Sequence, residues 1–174
     1  MNAARLRLFL ERLYVTVMMH IIGRSLVATS KVDTSVQQEL ASFPSGYQIQ
    51  MVVLPAGPGF VVQSNGDGTL RRAKALQTPP DLSIRFKHLS HAFLVLSFQE
   101  STARAFANDR MVANGDVSHA IRLVRCLNGM EALILPRWVA SRAVKRYPDL
   151  PLSVKLPMAL RIYGQVALGL FTGK

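Results

Sequence analysis

Ala103-Arg-Ala-Phe-Ala-Asn-Asp-Arg-Met-Val-Ala-Asn-Gly-Asp-Val-Ser-His-Ala-Ile-Arg-Leu-Val-Arg-Cys-Leu127 reads as helix end, turn, short strand, tight turn and helix. Asn108-Asp109 ends the first helix, because short polar side chains bond their own backbone and favour turns. Arg110 to Ala113 alternates weakly, as a brief strand does. Asn114-Gly115-Asp116 supplies the next turn, with glycine free to take positive φ. Asp116 or Ser118 can cap the helix that follows. Val117, Ala120, Ile121, Val124 and Leu127 then recur at helical spacing.

Upstream, Pro44-Ser-Gly46 closes a short helix over Asp33–Leu40, in which Ser35 and Gln38 fit a capping box. Tyr47 to Leu54 opens with clean alternation, placing Tyr47, Ile49 and Met51 on one face of a strand. A turn over Pro55–Gly59 returns the chain as Phe60–Gln63, and Asn65-Gly-Asp-Gly68 makes a further hairpin connection. Thr69–Leu76 reads as a third strand, Asp81–Phe86 as a fourth, and Arg110–Ala113 as a fifth. His88 to Asn108 carries two helices, with Ala92, Phe93, Leu96, Ala103 and Phe106 facing inward. The expected fold is α+β: a five-stranded, largely antiparallel sheet, running as a meander, with helices on one face and helical extensions at both ends.

This pattern resembles the sterol-carrier-protein-2-like (SCP2-like) lipid-binding domain. In that family an Ala-Phe pair on a helix precedes a basic–apolar–apolar strand, a Gly-Asp turn and an apolar helix. The matching residues are Ala105-Phe106, Arg110-Met111-Val112 and Gly115-Asp116, and Pro80–Phe86 resembles the strand leading into the helical segment. The resemblance spans roughly Tyr47 to Leu127. In layout it is similar to the bacterial members that assist ubiquinone biosynthesis, which place helices before and after the domain. It implies an N-terminal helix over 1–30, a lipid-binding domain over 31–130 and covering or membrane-contacting helices over 131–174.

The resemblance further implies non-enzymatic binding and transfer or presentation of a sterol, fatty-acyl, phospholipid or prenylated quinone ligand in an apolar tunnel. Phe93, Leu96, Phe106, Met111, Ile121, Val124 and Leu127 are the expected wall, and Met158, Ile162, Tyr163 and Val166 the expected lid. For each, ordinary core packing is the competing reading. Expected partners are the lipid, an anionic membrane surface and enzymes of lipid or quinone biosynthesis, with no cofactor. The alternative is a scaffold subunit of a biosynthetic complex that transfers no lipid.

Composition supports one domain of ordinary size with an apolar bias. The chain has 174 residues, 49% hydrophobic, with a mean hydropathy of +0.21. Its single cysteine, Cys126, excludes an intramolecular disulfide and suits a reducing compartment, so a cytoplasmic protein is expected. The net charge of +11 divides as +3 over residues 1–30, +1 over 31–116 and +7 over 117–174. Basic, apolar flanks suit peripheral contact with an anionic membrane. Solubility explains the same charge.

Leu6, Phe9, Leu10, Leu13, Val17, Ile21 and Ile22 form an apolar stripe on a helix running from Met1 to about Ser30. The apolar run from Leu13 to Gly23 is too short for a bilayer, which takes about 20 residues. Glu11 and the flanking Arg12 and Arg24 argue against a signal peptide. After Pro136, Trp138, Val139 and Val144 face one side of a helical segment, and Pro157–Phe171 is a last, largely apolar helix.

Catalytic signatures do not assemble. Ala56-Gly-Pro-Gly59 and Asn65-Gly-Asp-Gly68 lack the following Lys-Ser/Thr of a phosphate loop. His88 and His91 lack a third ligand at useful spacing, and Ser90 lacks a nucleophile elbow. Arg122, Arg125, Arg137, Arg142 and Arg146 alternate with aliphatic residues and not with base-stacking aromatics, which disfavours a nucleic-acid binder.

Overall fold

A computed structural model describes residues 3–73, 79–134 and 156–164. The chain runs α1 (Ala3–Val32), α2 (Thr34–Leu40), β1 (Gln48–Val53), β2 (Gly59–Ser64), β3 (Leu70–Arg72), β4 (Leu82–Phe86), α3 (Leu89–Leu96), α4 (Thr102–Ala107), β5 (Met111–Asn114) and α5 (Val117–Ile134). Residues 156–164 are helical as well. The fold is α+β, with five strands in one sheet and helices over one face. Trp138, Val139, Val144 and Val166 lie outside the described residues, as does the part of the expected third strand beyond Ala73.

The strand order is β3-β2-β1-β4-β5. Three pairings are antiparallel, but β1 and β4 run parallel at the centre, Ile49 opposite Leu82 and Val53 opposite Phe86. The expected meander is therefore broken once. After β3 the chain crosses back and adds β4 beside β1, on the far side of the sheet from β3. Alternation gives the buried face of each strand without naming its neighbour, so this crossover leaves no local trace. Ile49, Met51 and Val53, Phe60 and Val62, Leu82, Ile84 and Phe86, and Met111 share the buried face. Gln50, Val52, Gln63, Arg85 and Val112 lie partly or fully open on the other.

Short acidic side chains cap α2 and α5, whereas Ser101 caps α4. Asp33, and not Ser35, caps α2: its Oδ1 accepts from the backbone N–H of Ser35 at 2.8 Å and of Val36 at 3.1 Å. Asp116 caps α5 in the same way, through Ser118 N–H at 2.7 Å and His119 N–H at 3.2 Å. These bonds, led by that from His119, hold its carboxyl below the usual range. Just before β5, Arg110 pairs with Glu100 at 3.3 Å and Asp109 pairs with Lys87, so the motif's basic residue ties the start of β5 to the loop before α4.

α1 corrects the expected packing stripe. Val15, Met19, Ile22 and Leu26 face the core, spaced i, i+4, i+7 and i+11. Leu6, Phe9, Leu10, Leu13, Val17 and Ile21 are exposed, and only Ile22 of the expected stripe is buried. Residues two apart lie about 200° apart around a helix, so Val15 and Val17 mark opposite faces. α1 thus carries two apolar stripes, and periodicity alone does not say which one the sheet covers. By length and composition Ala4–Val32 could cross a membrane, yet more than half of its most apolar window is buried within the protein.

α5 continues unbroken through Asn128 and Gly129, so the expected domain boundary at residue 130 falls inside a helix. Cys126 lies on its buried side, where the thiol contacts the Val36 carbonyl at 4.0 Å. Burial, reinforced by the Glu39 charge, pushes the thiol up to about 12. Native protein at pH 8 should therefore react with a thiol-specific disulfide reagent at least about a hundredfold more slowly than denatured protein. Comparable rates, followed by absorbance, would show the α2–α5 contact opening freely.

Candidate functional site

The inward sheet face and α5 enclose a narrow apolar slot. Its floor comes from Met51, Ile84, Phe86 and Met111, its roof from Leu123, Val124 and Leu127, and its sides from Ile22, Val95, Leu96 and Phe106. Thr102 and Glu131 are its polar lining residues. The free space inside is about 30 Å³, enough for one or two waters and far below a ligand pocket of roughly 300 Å³ or more. In this state the slot is nearly shut.

Glu131 is the feature that sequence reasoning missed. Ala120, Val124, Leu127 and Glu131 are spaced i, i+4, i+7 and i+11, so the acid continues the inward stripe of α5. Burial among these apolar groups pushes its carboxyl up to about 7. The signal was present in the spacing: a carboxylate on the apolar stripe of a helix is a buried one.

Of the expected wall, Leu96, Phe106, Met111, Val124 and Leu127 converge on the slot. Phe93 points elsewhere. Its ring meets Tyr14 edge-on at 5.3 Å, against α1, where the Tyr14 hydroxyl donates to the Leu96 carbonyl at 3.1 Å. Ile121 is about half exposed, on the outer side of α5. Of the expected lid, Ile162 is fully buried with Ala28 and Leu133, and Met158 packs against them. That cluster begins two residues beyond Glu131 on α5, so these side chains sit past the slot's acidic position and do not line it. Tyr163 is exposed. Among the described residues no group of three or more His, Cys, Asp or Glu could hold a metal ion; His88 and His91 meet only ring to ring, at 5.0 Å.

No protein-family model matches the sequence, and no curated protein matches it. Solved structures do. The chain is similar in fold to sterol carrier protein domains. A conserved hypothetical protein of Thermus thermophilus, a candidate sterol carrier protein, is 16% identical, with a TM-score of 0.44 over 70% of this chain and 87% of its own. The sterol carrier protein domain 2 of Helicoverpa armigera is 13% identical, with a TM-score of 0.40 over 67% of this chain and 84% of its own. A ubiquinone synthesis protein, UbiJ-SCP2, is 11% identical, with a TM-score of 0.38 over 59% of this chain and 95% of its own. Likeness to sterol carrier protein domains at this level is a likeness of fold, and the slot has to be interpreted from its own residues.

Proposed function

We propose that the slot opens to hold a long apolar ligand and that the protein carries or presents a lipid without chemical turnover. The observation that supports this is the lining itself: among the described residues, eleven apolar side chains contributed by the sheet, α1, α3, α4 and α5, with a single acid. Removing apolar surface from water is worth about 25 cal/mol per Å², which is the driving force for sequestration. Sterols, fatty-acyl chains, phospholipids and prenylated quinone precursors all meet the requirement of length and apolarity. A place beside quinone-biosynthesis enzymes belongs to this reading.

The exposed stripe of α1 supports a membrane encounter. Leu6, Phe9, Leu10, Leu13 and Val17 stand in the open, with Arg5 and Arg12 on the adjoining side. Apolar and basic groups side by side suit the headgroup boundary of an anionic bilayer. The protein is then cytoplasmic and peripherally attached, loading at the surface.

Organic extraction of freshly purified protein, followed by lipid mass spectrometry, tests the proposal. Wild type should yield near-stoichiometric lipid. Val124→Trp, which fills the slot, should yield about a tenfold lower amount while overpacking costs it about 1–3 kcal/mol of stability. An empty wild type that also ignores anionic vesicles would favour the scaffold reading, which the small free volume supports: a solid core with basic flanks for protein partners.

A further inference from the structure

α1 carries a second polar feature, away from the slot. Arg24 is nine-tenths buried, and its Nη1 has no hydrogen-bond partner. Its Nε donates to His20 Nε2 at 3.0 Å. That bond requires the neutral imidazole with its proton on Nδ1. Arg72, on the edge strand β3, brings its half-buried side chain to the same place.

The geometry follows from how α1 crosses the sheet. Leu70 N–H donates to Ser30 Oγ at 3.0 Å, and a Cβ on Gly23 would touch Phe60 of β2 at 2.8 Å. Arg72 lies two residues beyond Leu70 on the same strand face and opposite Val62. Arg24 lies six residues, about 9 Å, back along α1 from Ser30. The two guanidiniums therefore approach each other over the edge of the sheet. Each bears on the His20 ring, which burial first, then Arg72 and Arg24, keep below its ordinary value. Arg72 itself is held down by burial and by the Arg24 charge. Among the described residues neither arginine has a carboxylate partner.

A buried guanidinium beside a second cation, with no acid in reach among the described residues, is costly unless a counter-charge is supplied. We propose that Arg24, Arg72 and His20 form an anion site that takes a phosphate group. Two planar forks match the oxygens of a tetrahedral dianion, and their charge balances it; a single carboxylate leaves one cation uncompensated. His20 orients the Arg24 fork by accepting from its Nε. The phosphate belongs either to a lipid head or to a small soluble molecule, and the recognition chemistry is the same for both.

Thermal unfolding at constant ionic strength tests this, with inorganic phosphate and soluble dihexanoyl phosphatidic acid as probes and chloride as the balancing salt. Wild type should gain about 4 °C in Tm at saturation. Arg24→Gln and Arg72→Gln should each lose that gain, and Arg24→Gln should be at least as stable as wild type in chloride alone. Arg72→Gln, at a half-buried edge position, carries the test if Arg24→Gln fails to fold. A rise with both probes assigns the site to phosphate in general; a rise with phosphatidic acid alone assigns it to a lipid head. No rise with either, or the same rise in both variants, overturns the proposal. Val124→Trp should respond to phosphate as wild type does, which separates this site from the slot.

Discussion

Replacing Glu131 with Gln should stabilise the protein at pH 8 by about 2–3 kcal/mol and leave it nearly unchanged at pH 4. Burial holds the native carboxyl near 7, whereas in the unfolded chain it titrates near its ordinary 4.5. Between those values the native state binds more protons than the unfolded state, so stability falls as pH rises across the window. Each unit of separation corresponds to about 1.4 kcal/mol, which bounds the effect at roughly 3 kcal/mol. Below the window both states are protonated and the term is fully favourable. Above it the native state holds a buried charge. Urea unfolding at the two pH values measures this, and parallel curves for wild type and Glu131→Gln would show that the acid is solvated and not part of the slot. Among the described residues Glu131 is the one ionisable group lining the slot, so this contribution to the slope should vanish with it.

Gly115→Ala should cost at least about 3 kcal/mol, because nothing nearby can yield. Gly115 has φ +128°, which L side chains rarely adopt, and an added Cβ would lie 2.4 Å from the Asp81 carbonyl oxygen and 3.1 Å from Leu82 Cα. Both obstacles are backbone, fixed because Ser83 pairs with Asn114 in the sheet. Relief requires β5 to part from β4, which unseats Met111 from the slot and α5 from its start. Guanidinium unfolding of the variant measures the loss. A change below about 1 kcal/mol would mean that β5 is an ornament of the sheet and not one of its walls.

Much of this architecture is legible in the residues themselves. Tyr47–Met51 and Asp81–Phe86 alternate polar with apolar residues because one side of each strand faces the core, and the Gly115–Asp116 turn declares itself through residue types that favour turns. Five of seven expected wall residues meet at the slot because helix and strand periodicities fix direction. What failed to show had specific causes. α1 bears two apolar stripes of equal periodicity, and the longer one faces out. Phe93 shares a helix with Leu96 but turns toward Tyr14, a contact 79 residues away in sequence that no local pattern encodes. Ile162 is apolar as expected, yet its partners are Ala28 and Leu133, so Ile162→Glu would bury a charge there and report on folding before it reported on a lid.

The parallel contact between β1 and β4 has a kinetic meaning. The strands β1, β2 and β3 form ladders between chain neighbours, and β4 reaches β5 across a short helical excursion, so two half-sheets can assemble early and separately. Joining them requires Ile49 to find Leu82, and that search closes a long loop before any contact compensates for it. The seam where the halves meet is also the floor of the slot, since Met51 lies on one side of it and Ile84 on the other. Closing that seam is what completes the slot's floor, so a chain whose halves have not yet joined presents two apolar half-surfaces.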